Sequence, residues 1–182
     1  EIVPALGDCC NLEFLKNLFK QEKVDIVFHA AAYKHVPLVE INPLNSINNN
    51  VFSPVYFLMG EETYYIDLIT NLLEQNVLNN DERSFNQTVL YGKDTSVNEI
   101  ISVCKRYPMM SKYQLVIIKE AQDLSSKLDN LDNYMLNPML TTILVINFKY
   151  KSIDKRKKIY KSIKKYGLIF DSKKPYENQL SS

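Results

Sequence analysis

Tryptophan is absent from the 182-residue chain, and glycine, cysteine and histidine are scarce, at four, three and two copies. Four glycines leave little material for a loop that cradles phosphates with backbone amides. Three cysteines, two of them adjacent (Cys9 and Cys10), give neither a disulfide framework nor metal-ligand spacing. Nothing near Cys9 or Cys10 would activate a thiolate, and a reducing, cytoplasmic setting is the simplest expectation. Long hydrophobic runs are missing too: QLVIIKEA and TTILVINF are far too short to span a bilayer. No secretory pattern opens the chain, so no membrane partner is expected. Glu1 falls in a strand-like run, which suggests a fragment whose true start lies elsewhere. The formal net charge is only +1, so no global field advertises nucleic acid or an acidic partner. That average hides unlike pieces. Residues 1–50 carry four basic and six acidic side chains, residues 51–148 seven and twelve, and residues 149–182 eleven and three.

What is present is a rhythm of apolar runs. Leu12, Leu15, Leu18 and Phe19 share one helical face, and VDIVFHAAA (24–32) has strand length and β-branched content. This opening stretch is one helix and one strand of an α/β fold, with neither beginning nor end. A fuller pattern starts at Pro54. Strands are expected over 54–60, 85–92, 114–120, 141–148 and 168–170. Helices are expected over 63–78, 96–107 and 152–167, with an amphipathic segment carried by Leu124, Leu128, Leu131 and Met135. Ser96 is the expected N-cap of the second helix, with Glu99 completing a capping box. Five strands alternating with four helical crossovers predict a parallel sheet covered by helices on both faces. The tail from Ser172 is polar and is expected to leave the domain.

The string from Gly7 to Phe52 resembles the extended short-chain dehydrogenase/reductase family, nearest its nucleotide-sugar dehydratase and epimerase branch of polysaccharide biosynthesis. The carrying residues are Gly7-Asp8, His29-Ala30-Ala31-Ala32, Tyr33-Lys34-His35-Val36-Pro37, and Asn42-Pro43 leading into Asn49-Asn50. The resemblance implies that Asp8 stands where that family contacts adenine. It also implies that Ala30, Ala31 and Ala32 let a dinucleotide approach a strand end. A partial Rossmann fragment, residues 1–52, is therefore expected. It lacks the first strand, its Gly-rich turn and the helix that receives the pyrophosphate. The family's Tyr-x-x-x-Lys is also missing, because Tyr33 and Lys34 are adjacent and Tyr160 and Lys164 lie in unrelated sequence. Apart from the resemblance, His29 and His35 read as structural or surface histidines. The fragment is expected to be an inactive remnant of an NAD(P)-dependent enzyme.

Residues 53–182 resemble the first, AAA+-like domain of the delta subunit of the bacterial DNA polymerase III clamp loader, of the Bacteroidetes type. The match rests on FLMGEETYYID, FNQTVLYGKD, KRYPMMSKYQLVIIKEAQ, TTILVINFKYKSIDKRKK and DSKKPYENQ. The resemblance implies an AAA+/P-loop-like α/β fold, with the lid and collar domains absent. The residues themselves argue against AAA+ chemistry. A phosphate loop needs GxxxxGK[ST] after the first strand, yet Gly60 is followed by Glu61, Glu62 and no second glycine, lysine or magnesium-binding hydroxyl at the right place. Two carboxylates stand where phosphates would bind and would repel them. At the third strand, Lys119-Glu120 follows four apolar residues, so a cation replaces the metal-binding aspartate. Gly60, Glu61, Glu62, Lys119 and Glu120 thus form a degenerate nucleotide site. No ATP hydrolysis, cofactor or metal ion is expected.

The candidate binding element is KRYPMMSKY (105–113). Pro108 interrupts helical hydrogen bonding, which leaves Tyr107, Met109 and Met110 as large apolar groups between cations. From spacing alone, Met109 and Met110 read first as a cap of the helix against the sheet. The resemblance implies instead a hydrophobic plug that enters a pocket on the sliding clamp and helps open the ring. The family usually carries Leu-Phe where Met109-Met110 stands. The basic tract 149–165 has two readings as well: a solvated face, or a contact with DNA phosphates or an acidic neighbouring subunit.

The two resemblances meet near residues 50–53 without a Gly/Ser linker. Natural fusion, an engineered join or an assembly error would each produce this, and sequencing source DNA across codons 45–60 separates them. The expected function is a non-catalytic delta-type domain of the DNA polymerase III holoenzyme. It would bind the sliding clamp and neighbouring clamp-loader subunits in the cytoplasm during DNA replication. The alternative is a truncated nucleotide-sugar dehydratase or epimerase relative.

Overall fold

The computed structural model describes residues 52–173, so the expected Rossmann fragment lies outside the described residues. Strand β1 (Val55–Gly60) is followed by α1 (Thr63–Val77) and α2 (Asn80–Asn86). Then come β2 (Gln87–Tyr91), α3 (Val97–Cys104) and β3 (Gln114–Lys119). Two 3-10 helices, Ala121–Asp123 and Ser125–Leu131, lead into the short α4 (Asp132–Met135). Strand β4 (Thr142–Lys149), α5 (Lys158–Tyr166) and β5 (Leu168–Ser172) complete the domain. The strands form one five-stranded, all-parallel sheet in the order β2-β3-β4-β1-β5. The expected α/β class, strand number and helices on both faces are all present.

The central strands carry apolar side chains on both sides because both faces are covered. Val55, Phe57 and Met59 of β1 face α3, α4, α5 and the 3-10 helices, in one core with Val116, Ile146 and Ile163. Tyr56 and Leu58 point the other way, against Ile66, Ile69 and Leu73 of α1, together with Ile117 and Val145. Phe57 stacks on Phe148 with ring centroids 5.9 Å apart. Among the described residues no helix is long and apolar enough to cross a membrane.

Several local expectations are corrected. Phe85 and Asn86 end a helix rather than begin a strand. Its start is set by a reciprocal capping box: Glu82 N–H donates to Asn79 Oδ1 and Asn79 N–H donates to Glu82 Oε2, both at 2.9 Å. Asn79→Ala should lower stability by about 1 kcal/mol, read as a shift in the urea midpoint. An unchanged midpoint would remove the cap from the account of α2. The capping box expected at α3 is only half formed. Ser96 Oγ accepts from Glu99 N–H at 3.2 Å, but the Glu99 carboxylate accepts from Thr95 Oγ1 instead of the Ser96 backbone.

Helix α3 stops at Cys104 rather than 107, and the 152–167 helix begins only at Lys158. Upstream of Lys158, Asp154 turns the chain by accepting from the backbone N–H of Arg156 at 2.9 Å. Side-chain bonds from Arg156 also hold the Asp154 carboxyl down at about 2. The amphipathic 124–135 segment buries Leu124, Leu128, Leu131 and Met135 as expected, but mostly through 3-10 turns. The last strand runs two residues past Phe170, and Ser172 is fully buried rather than leaving the domain.

Candidate functional site

Chemically distinctive residues gather at the two opposite rims of the sheet. The carboxyl rim contains Gly60, Glu61, Glu62, Lys119 and Glu120, the residues expected to form a degenerate nucleotide site. Gly60 closes β1 at φ 129°, and a Cβ there would lie 2.0 Å from the carbonyl oxygen of Ser172. That close approach lets β5 seal the turn. Glu61 N–H donates to Ser172 O at 2.8 Å, with Glu62 N–H at 3.4 Å, and Ser172 Oγ donates back to Glu62 O at 2.8 Å. The amides that a phosphate loop would offer to a ligand are thus already paired with protein. The Glu62 side chain caps α1, its Oε1 lying 3.5 Å from Tyr64 N, so a carboxylate sits at the helix start where the dipole favours negative charge.

On the neighbouring strand, the ammonium that meets Glu120 belongs to Lys149 at the end of β4, the register partner of Gly60. Its Nζ lies 2.8 Å from Asp67 Oδ1 on α1 and 3.7 Å from Glu120 Oε1. Gln122 ties the group together. It donates to Glu120 Oε2 and accepts from the Lys149 backbone N–H at 3.1 Å. Burial works to lower the Lys149 pKa. The Asp67 hydrogen bond and the charges of Asp67 and Glu120 outweigh it, so the net shift is upward. Lys119 contributes its backbone carbonyl, which accepts from Gly92 N–H at 2.8 Å. Sequence does not single out Lys149, Asp67 and Gln122 as a group, because Lys149 opens a lysine-rich tract and its partners come from other elements. Among the described residues, no group of three or more His, Cys, Asp or Glu could hold a metal ion.

The amino rim carries the 105–113 loop, which joins α3 to β3. Tyr107, Met109 and Met110 are 80%, 60% and 102% exposed, so the methionines do not cap the helix against the sheet. Beneath them the loop is held by two buried amides. Gln114 Nε2 donates to Arg106 O at 2.6 Å and to Thr142 Oγ1 at 2.7 Å, and lies 3.3 Å from the carbonyls of Val103 and Cys104. Those contacts satisfy carbonyls that a further helical turn would have used, which explains the early stop of α3. Asn86 holds Met109 from the other side. Burial pushes the Cys104 thiol up to about 12, so it is a neutral packed group. Lys112 lies over the Tyr113 ring, 4.9 Å from its centroid. Asp8, Ala30, Ala31 and Ala32 lie outside the described residues.

Comparison with known proteins separates the two parts of the chain. A family model for the DNA polymerase III delta subunit matches residues 56–173, and one for polysaccharide biosynthesis proteins matches residues 1–101. Where the two overlap, the described residues build β1 to α3 within the single sheet. The DNA polymerase III subunit delta of Bacillus subtilis is 26% identical over 137 residues, 70% of this chain and 40% of that protein. The solved structure of the Bacillus subtilis DNA clamp loader delta protein superposes with a TM-score of 0.67 at 26% identity. It covers 73% of this chain and 42% of its own. A capsular polysaccharide biosynthesis protein of Staphylococcus aureus is 43% identical over 51 residues, 28% of this chain and 8% of that protein. The chain thus spans about two fifths of the delta relatives it matches. Through residues 56–173 it belongs to the DNA polymerase III delta subunit family, and its N-terminus carries a segment similar to polysaccharide biosynthesis proteins.

Proposed function

We propose that residues 53–182 form a clamp-gripping domain of a cytoplasmic clamp loader, with Tyr107, Met109 and Met110 as the element that enters the sliding clamp. The observation that carries this reading is the exposure of three large apolar side chains on a loop anchored from below by buried amides. Monomeric proteins rarely present such groups together without a partner. Fully burying each would contribute about 1.5–3 kcal/mol, enough for a few residues to dominate an interface. Titrating the full chain into a bacterial sliding clamp by calorimetry should give saturable binding. Absence of both heat and co-elution in gel filtration would refute the reading.

The same domain is proposed to be an AAA+-type unit that does not hydrolyse ATP. Support comes from the Ser172 carbonyl on the turn amides and from the Lys149 bridge between Asp67 and Glu120. Its place in the loader would be structural, beside the other clamp-loader subunits. The basic tract 149–165 supports a secondary contact with DNA phosphates. Ile159 and Ile163 face the core, while Lys158, Lys161, Lys164 and Lys165 are exposed. Retention on duplex DNA should fall steeply with added salt. Retention that is absent, or unaltered by changing these four lysines to Glu, removes DNA from the account.

A further inference from the structure

The exposed tip has almost no hydrogen bonding of its own. Among the described residues, no backbone–backbone hydrogen bond beyond the helices and strands involves residues 107–113. A loop so built, with methionine side chains at its end, would be expected to sample many conformations. One side chain from a different element prevents this. Asn86 is the last residue of α2 and is 4% exposed. Its Oδ1 accepts from Met109 N–H at 2.6 Å, and its Nδ2 donates to Met109 O at 2.9 Å and to Glu82 O at 3.1 Å. The side-chain amide therefore pairs with both polar groups of one peptide residue, as a neighbouring strand would. The opposed donor and acceptor also fix which way the amide is turned. Immediately beyond the clamped residue, Met110 has φ 51°, a left-handed conformation that side chains with a Cβ rarely adopt. A strained residue at an exposed apolar tip persists only where its surroundings hold it. Here the hold is on Met109.

We propose that Asn86 is a positioning residue that fixes the Met109–Met110 tip in its presenting conformation before any partner arrives. This rests on the reading of that tip as the clamp-binding element. Preorganisation raises affinity because the ordering cost is met in the free protein and not at association. It also fastens the tip to α2 and β2 as well as to its own helix, α3.

The test uses the full chain, a bacterial sliding clamp, and the variants Asn86→Ala and Asn86→Asp beside Met109→Ala/Met110→Ala. Asn86→Ala should weaken clamp binding by about tenfold and speed amide exchange at Met109, while the melting curve stays cooperative. Asn86→Asp keeps the acceptor for Met109 N–H but sets a carboxylate against Met109 O. Binding should be weakened at neutral pH and should recover as acid protonates that carboxyl and restores one donor; the unsubstituted chain serves as control at each pH. A purely structural role would not give that acid rescue, and the pH profile remains decisive where Asn86→Ala folds poorly. Loss of binding in the double methionine variant alongside unchanged affinity in both Asn86 variants overturns the positioning role and leaves the clamp reading intact. Unchanged binding in the methionine variant overturns the clamp reading itself.

Discussion

Met109→Ala/Met110→Ala should weaken binding to a sliding clamp by about a hundredfold to ten-thousandfold, with the fold unaltered. Each substitution removes a side chain whose full burial is worth about 1.5–3 kcal/mol. Neighbouring residues seated in one pocket do not add independently, which favours the lower end of that range. The folded chain itself should barely register the change, since both side chains are more than half exposed and neither belongs to a core cluster. Met110→Ala also leaves a residue with a Cβ at φ 51°, so backbone strain is not relieved and cannot confuse the result. Calorimetric titration paired with a thermal melt makes the measurement. A dissociation constant equal to that of the unsubstituted chain would take these residues out of the interface.

Gly60→Ala should have the opposite character: a large loss of stability and no direct effect on the loop tip. The added methyl would sit 2.0 Å from the Ser172 carbonyl oxygen, and the backbone at φ 129° is one that alanine avoids. Relief requires β5 to move away from β1, which gives up the bonds from Glu61 N–H and from Ser172 Oγ. Strain of about 1–3 kcal/mol and roughly 1 kcal/mol for each lost hydrogen bond together remove about 3–5 kcal/mol. A domain holding about 5–15 kcal/mol in total would then unfold at far lower denaturant. A urea midpoint within error of the original would show that the β1–β5 closure is not the rigid contact described.

The parts of the fold legible in the sequence were those written in long, local patterns. Strands β1, β3 and β4 are buried on both faces, so continuous runs such as QLVIIK marked them to within a residue or two. Helix α2 is not legible although Asn79 and Glu82 carry its start signal, because Phe85, with Thr88 and Val89 to follow, reads as the opening of a strand. The charged cluster escaped for a different reason. Asp67, Glu120 and Lys149 are brought together by strand order, and nothing in their separate neighbourhoods announces it. Ser172 is a harder case still: a polar residue next to a polar tail, whose carbonyl and hydroxyl both bond to a turn far away in sequence. The tip is legible by type and placement, but its spacing alone favours packing over presentation. Only the exposure of Met109 and Met110 separates them.

The two rims also differ in mechanical role. Every strand runs the same way, so the Met109–Met110 tip stands at the starting end of β3 and the sealed crevice at its finish. Six residues of extended chain put them roughly 20 Å apart. Between them lies a sheet packed tightly on both sides, which deforms little under load. A pull on the tip would be transmitted along β3 to its neighbours and on to the opposite edge. The domain is stiff along its strands, so a load applied at the exposed tip would be felt at the sealed turn on the far side.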